Sequence, residues 1–268
     1  MCLNVSIAER GGLRNQTSTM EGAVKKTYSI VLTLTQRLNL ILAPTVEKRL
    51  ALKICNLYAG VGGNRKSWVG HEVTAVEWSE NIANVYRDQY PDDTVIVGDA
   101  HEYLLENHND FDFIWSSPPC QSHSRMIRSG RNRKPRYPDL RLYEEILLLQ
   151  NDFKGKWVVE NVVPYYKPLI PYEKRGRHVF WANFYIPEFE VPKFEGDLIN
   201  TTNLAGKKAM MDWLGIHFEE NIYYDGNHDP TQVLRNAVHP YIGEVVLEAA
   251  IQGVRAPSGT LEWTNREK

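Results

Sequence analysis

Cys120 stands in Ser117-Pro118-Pro119-Cys120-Gln121, directly after the apolar run Phe111-Asp112-Phe113-Ile114-Trp115. Two prolines fix the backbone beyond a strand and hold the next side chain at a defined place. A thiolate there is the softest common protein nucleophile, suited to an electron-poor ring carbon. The plain alternative is an inert cysteine buried in a turn. Glu160-Asn161-Val162 closes a second apolar run, Trp157-Val158-Val159. A carboxyl beside a low-dielectric pocket can be kept protonated and act as an acid; a capping or core-edge acid is the alternative. In Lys174-Arg175-Gly176-Arg177, Arg175 and Arg177 can take a phosphate or a carbonyl oxygen, but alone they read better as a surface turn.

A second group of residues suits a nucleoside-like ligand. Ala59-Gly60-Val61-Gly62-Gly63 follows a strand pattern, and such a turn lets a ligand approach the backbone closely. Glu77 lies where a carboxylate grips ribose hydroxyls, and Asp99 ends a third strand where it can accept from an adenine amino group. Their plain alternatives are a solvated surface acid and a helix N-cap. Together the three favour an adenosine-containing cofactor. Between Ser122 and Arg141 runs a basic, Gly- and Pro-interleaved segment with Ser124, Arg125, Arg128, Arg131, Arg133, Lys134 and Arg136, and Asp139 as its only acid. It reads as a loop for phosphate contact or as a solvated loop.

The elements that must position these groups alternate. Strands are expected at Ile54–Tyr58, Val73–Val76, Thr94–Val97, Phe111–Trp115 and Trp157–Val159. Helices are expected at Asn81–Gln89, Leu140–Asn151, Ala209–Ile216 and from Gln232 through Ile251. Alternation of this kind gives an α/β fold with a doubly wound, mostly parallel sheet. The glycines, acids, cysteine and Glu-Asn pair all fall at carboxyl ends of strands, the edge where open α/β sheets bind ligands.

The whole-chain numbers are ordinary. The chain has 268 residues, 43% hydrophobic and 24% charged, with a formal net charge of -2. A nucleic-acid surface must therefore come from local clustering. The three cysteines, Cys2, Cys55 and Cys120, make no disulfide framework and fit a reducing cytoplasm. The most apolar stretch, Tyr28 to Ala43, is interrupted by Gln36, Arg37 and Asn39, so no membrane span is expected. Residues 1–52 read as an extension of unassigned role, with Met20 an alternative start.

In this order the motifs resemble those of the DNA (cytosine-5) methyltransferases, in a compact form spanning about residues 53 to 252. Asn56 to Gly63, Val76 to Glu80, Gly98-Asp99-Ala100, Ser117 to Gln121, Glu160-Asn161-Val162, Lys174 to Arg177 and Gln232 to Val238 with Pro240 carry the resemblance. The Pro-Pro-Cys-Gln and Glu-Asn-Val pair is its most specific part. Departures are Asn56 for Asp, Tyr58 for Phe, Glu173 for Gln and Arg235 for Gly. The resemblance implies a methyltransferase-type sheet that uses S-adenosylmethionine, held by Tyr58, Ala59, Gly60, Gly62, Gly63, Glu77, Trp78, Asp99, Pro119 and Asn236. It implies catalysis by Cys120, Glu160 and Arg177 with Arg175 in support. It implies duplex DNA as partner, contacted by Gln121, Ser124, Arg125, Arg128, Arg131 and Arg133. It divides the chain into a catalytic and cofactor-binding domain at 53–182, an abbreviated recognition region at 183–231 and a returning C-terminal helix and tail at 232–268. So short a recognition region leaves room for a separate specificity partner. The target sequence, the oligomeric state and the setting (restriction-modification, phage or orphan) stay open.

Other readings compete. An amino methyltransferase needs an aromatic residue after Pro-Pro, and Cys120 with Glu160 opposes it. A nicotinamide dehydrogenase gives Pro-Pro-Cys no role. An RNA cytosine-5 methyltransferase and a non-catalytic DNA-binding module on the same fold both remain.

Overall fold

A computed structural model of the chain describes residues 51–125, 137–197, 202–223 and 229–253. The extension at 1–50 and the arginines Arg128, Arg131 and Arg133 lie outside the described residues. Among the described residues, seven strands form one sheet: β1 Lys53–Leu57, β2 Glu72–Glu77, β3 Thr94–Val97, β4 Phe113–Ser116, β5 Lys156–Val162, β6 Glu173–Arg175 and β7 His178–Ala182. Their order is β3-β2-β1-β4-β5-β7-β6. The first five pair in parallel, and β7 runs antiparallel to both β5 and β6. The helices are α1 Glu80–Gln89, α2 Ala100–Asn107, α3 Arg141–Asn151, α4 Leu204–Leu214, α5 Gln232–Asn236 and α6 Pro240–Gln252.

The parallel strands are apolar because helices cover the sheet. One core cluster joins Ile54, Trp68, Phe113, Phe180, Ile242 and Val246. The opposite cluster joins Cys55, Leu57, Ile114, Leu142, Ile146 and Leu149. Successive residues of β1 thus feed opposite layers, as a pleated strand requires. Cys55 is only 1% exposed, an apolar core residue rather than a reactive thiol.

Two features depart from the sequence expectation. The helix expected from Gln232 through Ile251 is two helices, since Ala237 and His239 are extended between α5 and α6. Pro240 causes the break: a proline disfavours helical backbone in the residue before it and has no N–H to give. It serves instead in the first turn of α6, where His239 Nδ1 accepts from the Tyr241 amide at 3.2 Å. The second is the β6–β7 hairpin, which extends the sheet beyond β5 and carries Arg175, Arg177 and His178. The expected Ala209–Ile216 helix is present as α4, capped by Asn203 and ended by Gly215 at φ 63. Its Met210 and Leu214 pack with Val61, Ile82 and Leu234.

Candidate active site

The topology puts the carboxyl ends of β1, β2, β3, β4 and β5 along one edge. A cleft of about 280 Å³ opens there, lined by Tyr58, Trp78, Gly98, Asp99, Ala100, Pro118, Pro119, His123, Asp139, Arg141 and Leu142. Trp78 is 74% exposed beside it, an unusual position for so large an apolar ring. Asp99 caps α2: its Oδ1 accepts from the His101 and Glu102 amides at 2.8 and 3.3 Å. The capping alternative therefore holds for one oxygen. The other faces Arg141, at 3.6 Å.

Glu77 is not a solvated acid. It is buried, and its two oxygens accept from the Gly60 and Ser79 amides, each at 2.9 Å. Burial pushes its carboxyl up while those backbone N–H groups hold it down. Glu77 thus ties the Gly-rich turn to the end of β2 without itself lining the cleft. Tyr58 holds a left-handed backbone, φ 56, rare for a bulky residue. Its hydroxyl donates to Glu145 at 2.6 Å. Beyond it Ala59 donates to Val76 O, and Gly60 has open space where a Cβ would stand. Gly63 is different: a Cβ there would lie 2.2 Å from Val238 O, so this glycine seats the turn against the segment after α5. Asn236 is exposed at the end of α5 and lies outside the cleft lining.

Cys120 lies just beyond the end of β4. Pro118 is locked by Asn161, whose Nδ2 donates to its carbonyl at 2.9 Å. Asn161 alternates with Glu160 along β5, so one residue braces the proline turn and its neighbour faces the site. Cys120 is partly exposed at the start of a short 3-10 turn. Burial, and the negative charge of Glu160, push its thiol up to about 11, while Arg177 draws it down. Glu160 is 6% exposed and accepts from Ser117 Oγ at 3.0 Å. Its other oxygen lies 2.6 Å from His178 Nδ1. Arg177 exposes part of its side chain, yet burial of its guanidinium lowers its pKa against the pull of Glu160 and Cys120. Cys120, Glu160 and Arg177, far apart in sequence, therefore act on one another electrostatically.

Arg175 is not brought to this group. Its guanidinium is buried and donates to the Ile186, Pro187 and Lys174 carbonyls and to Glu173. It anchors the chain leaving β7. Gln121 and Arg125 are exposed after Cys120, and Ser124 bridges to Pro164.

Three residues escaped the sequence reading. Glu145 on α3 is 0% exposed and accepts from Tyr58, Ser116 and His101. Its phase on α3, three residues after Leu142 and one before Ile146, was the available signal. His178 shares a face of β7 with Phe180, a period-two signal hidden by the Arg-x-Arg reading. His123 lines the cleft and is pinned by Tyr166, 2.6 Å away.

Residues 52–164 match the model of the family described as C-5 cytosine-specific DNA methylase. The human tRNA (cytosine(38)-C(5))-methyltransferase is 34% identical over 86 residues, which are 30% of this chain and 22% of that protein. A Spodoptera frugiperda DNMT2 mutant structure overlaps 41% of this chain and 35% of its own, at 27% identity and a TM-score of 0.30. A SAM-dependent methyltransferase from Agrobacterium tumefaciens overlaps 43% of this chain and 40% of its own, at 17% identity and a TM-score of 0.32.

Proposed function

We propose that this protein uses S-adenosylmethionine to methylate C5 of cytosine in duplex DNA through a covalent Cys120–C6 intermediate, a reading that the family match over residues 52–164 supports. The observation that carries the proposal is the convergence of Cys120, Glu160 and Arg177 on one edge of the sheet, next to the cleft.

The cleft fits the cofactor. Trp78 and Tyr58 offer aromatic surface for an adenine, Asp99 a carboxylate for its amino group, and Gly60 leaves room beside the backbone. Bound there, S-adenosylmethionine would supply the electrophilic methyl group.

The chain's own residues do the rest. The target cytosine must leave the stack, since its ring edge is unreachable inside a duplex. Cys120 Sγ attacks C6 of the extruded base. Glu160 meets N3, relieving the charge that develops on the ring. Arg177 holds the O2 carbonyl. C5 then carries the electron density needed to accept a methyl group. Loss of the C5 proton and expulsion of Cys120 restore the aromatic ring. Gln121 and Arg125, both exposed just beyond Cys120, would contact the phosphates.

Tritium transfer from labelled S-adenosylmethionine to unmethylated duplex DNA tests this, with Cys120→Ser alongside. Transfer by the native chain alone, recovered as 5-methylcytosine, is expected. Transfer to tRNA but not to DNA would favour an RNA substrate, the reading that the 34% identity to a tRNA enzyme supports. No transfer to either would favour a binding module or a missing specificity partner.

A further inference from the structure

Every described hydrogen bond to Glu160 comes from a group able to donate. Ser117 Oγ lies 3.0 Å from Oε2 and itself accepts from Trp115 Nε1 at 2.8 Å. His178 Nδ1 lies 2.6 Å from Oε1, and Arg177 Nε donates to His178 Nε2 at 3.2 Å. Indole and guanidinium have no acceptor, so each end of this chain fixes its direction. A neutral imidazole that accepts at Nε2 must carry its proton on Nδ1. Two relays therefore run inward, Trp115 to Ser117 to Glu160 and Arg177 to His178 to Glu160, each delivering an N–H or O–H to a different oxygen.

The backbone explains the meeting. In the antiparallel β5–β7 pair, Glu160 is opposite Phe180 and Val162 opposite His178. Glu160 and His178 are thus diagonal neighbours on one face, within reach of long side chains. His178 is 7% exposed, and the Phe180 ring lies 6.2 Å from its own. Water has little access to replace either bond.

We propose that His178 is a positioning residue for Glu160: its Nδ1–H anchors Oε1, and Arg177 fixes the tautomer that makes it a donor. This rests on the reading of Glu160 as the group that meets the base. On that reading Arg177 has two partners, His178 in the free protein and the base carbonyl in the complex. The orientation of Glu160 is then coupled to the arginine that recognises the same base.

The test compares native protein, His178→Leu and His178→Asn, whose amide N–H can stand where Nδ1–H does. Single-turnover methyl transfer to duplex DNA gives the chemical step, and titration calorimetry gives the cofactor Kd. His178→Leu is expected to slow the step about 10- to 100-fold with the cofactor Kd within about 2-fold of native. His178→Asn is expected to recover most of the rate. Equal rates in native and Leu, or equal loss in Leu and Asn, would overturn the proposal. A second measurement does not need methyl transfer. Nitrogen-15 NMR of histidine-labelled protein should show His178 as a single Nδ1–H tautomer, assigned by its loss in His178→Asn, and Arg177→Met should release it into a mixture. An Nε2–H tautomer in the native chain would overturn the proposal whatever the activity. An inactive native chain with the Nδ1–H tautomer would count against the proposed function and leave the relay standing.

Discussion

Replacing Glu145 with leucine removes a fully buried carboxylate from three donors at once. Ser116 Oγ and the Tyr58 hydroxyl each lie 2.6 Å from it, and His101 Nδ1 lies 3.1 Å away. A buried donor left without an acceptor costs about 1–3 kcal/mol. Ser116 is wholly enclosed and His101 nearly so, whereas Tyr58 borders the cleft and can turn toward water. Two stranded donors give about 2–6 kcal/mol, and removing a buried charge offsets part of it. The expected net loss for Glu145→Leu is therefore about 2–4 kcal/mol. Glu145→Gln keeps an acceptor for Tyr58 and His101 and offers an N–H to Ser116, whose hydroxyl can rotate to accept. Its expected loss is about 1 kcal/mol. Urea unfolding followed by tryptophan fluorescence measures both. A second signature is pH dependence. The hydrogen bond and charge of Glu145 raise the His101 pKa against the opposing effect of burial. The stability that protonated His101 contributes is fully present below its unfolded value of about 6.5. It is lost as pH rises through the raised folded value. Native stability should decline across that window, and less so in Glu145→Gln. A leucine variant as stable as native, or a glutamine variant as damaged as leucine, would refute the account of Glu145 as the acceptor that organises this wall of the cleft.

Two further outcomes follow from the site. Because burial and Glu160 hold the Cys120 thiol up at about 11, its alkylation by iodoacetamide should rise about tenfold per pH unit between about pH 7 and about pH 9. Glu160→Gln should speed that alkylation and Arg177→Leu slow it, by peptide mapping, with Cys55 untouched throughout; a plateau below about pH 9 would contradict the environment described. Gly63→Ala forces a Cβ to within 2.2 Å of Val238 O and should cost about 1–3 kcal/mol in urea unfolding. Gly60→Ala meets no atom within 4 Å, so its cost should be limited to the strain of φ +55, about 1–2 kcal/mol, with the larger effect on cofactor Kd.

The candidate-site edge is legible in the sequence because its geometry is local. A proline pair after β4, a Gly-rich turn after β1 and acids after β2 and β3 each declare themselves within a few residues. The parallel strand pairs followed from alternation alone. What could not be read was decided by packing between distant segments. Arg175 looked like a partner for Arg177, yet β6 ends at Arg175, the turn at Gly176 (φ 59) separates the two, and the carbonyls of Ile186 and Pro187 claim the Arg175 guanidinium. Glu145 sits beside Glu144, and only the rotation of α3 against the sheet decides which of the two is buried. The break before α6 was present in the sequence as Pro240.

The indole of Trp68 donates to Gly243 O at 3.0 Å, across 175 residues of chain. Gly243 in turn touches Asn64, where even a methyl group would collide with backbone. One whole layer of the core, with Ile54, Trp68 and Phe113, is therefore roofed by Ile242, Val246 and Leu247 of the last described helix. A nascent chain emerging from a ribosome would hold that layer open to water until α6 had cleared the exit tunnel. The sheet strands β1 to β5 would by then have been made and waiting. The interval is when this chain is most exposed to chaperones and to misassociation, and it is set by the position of a helix that carries none of the chemistry.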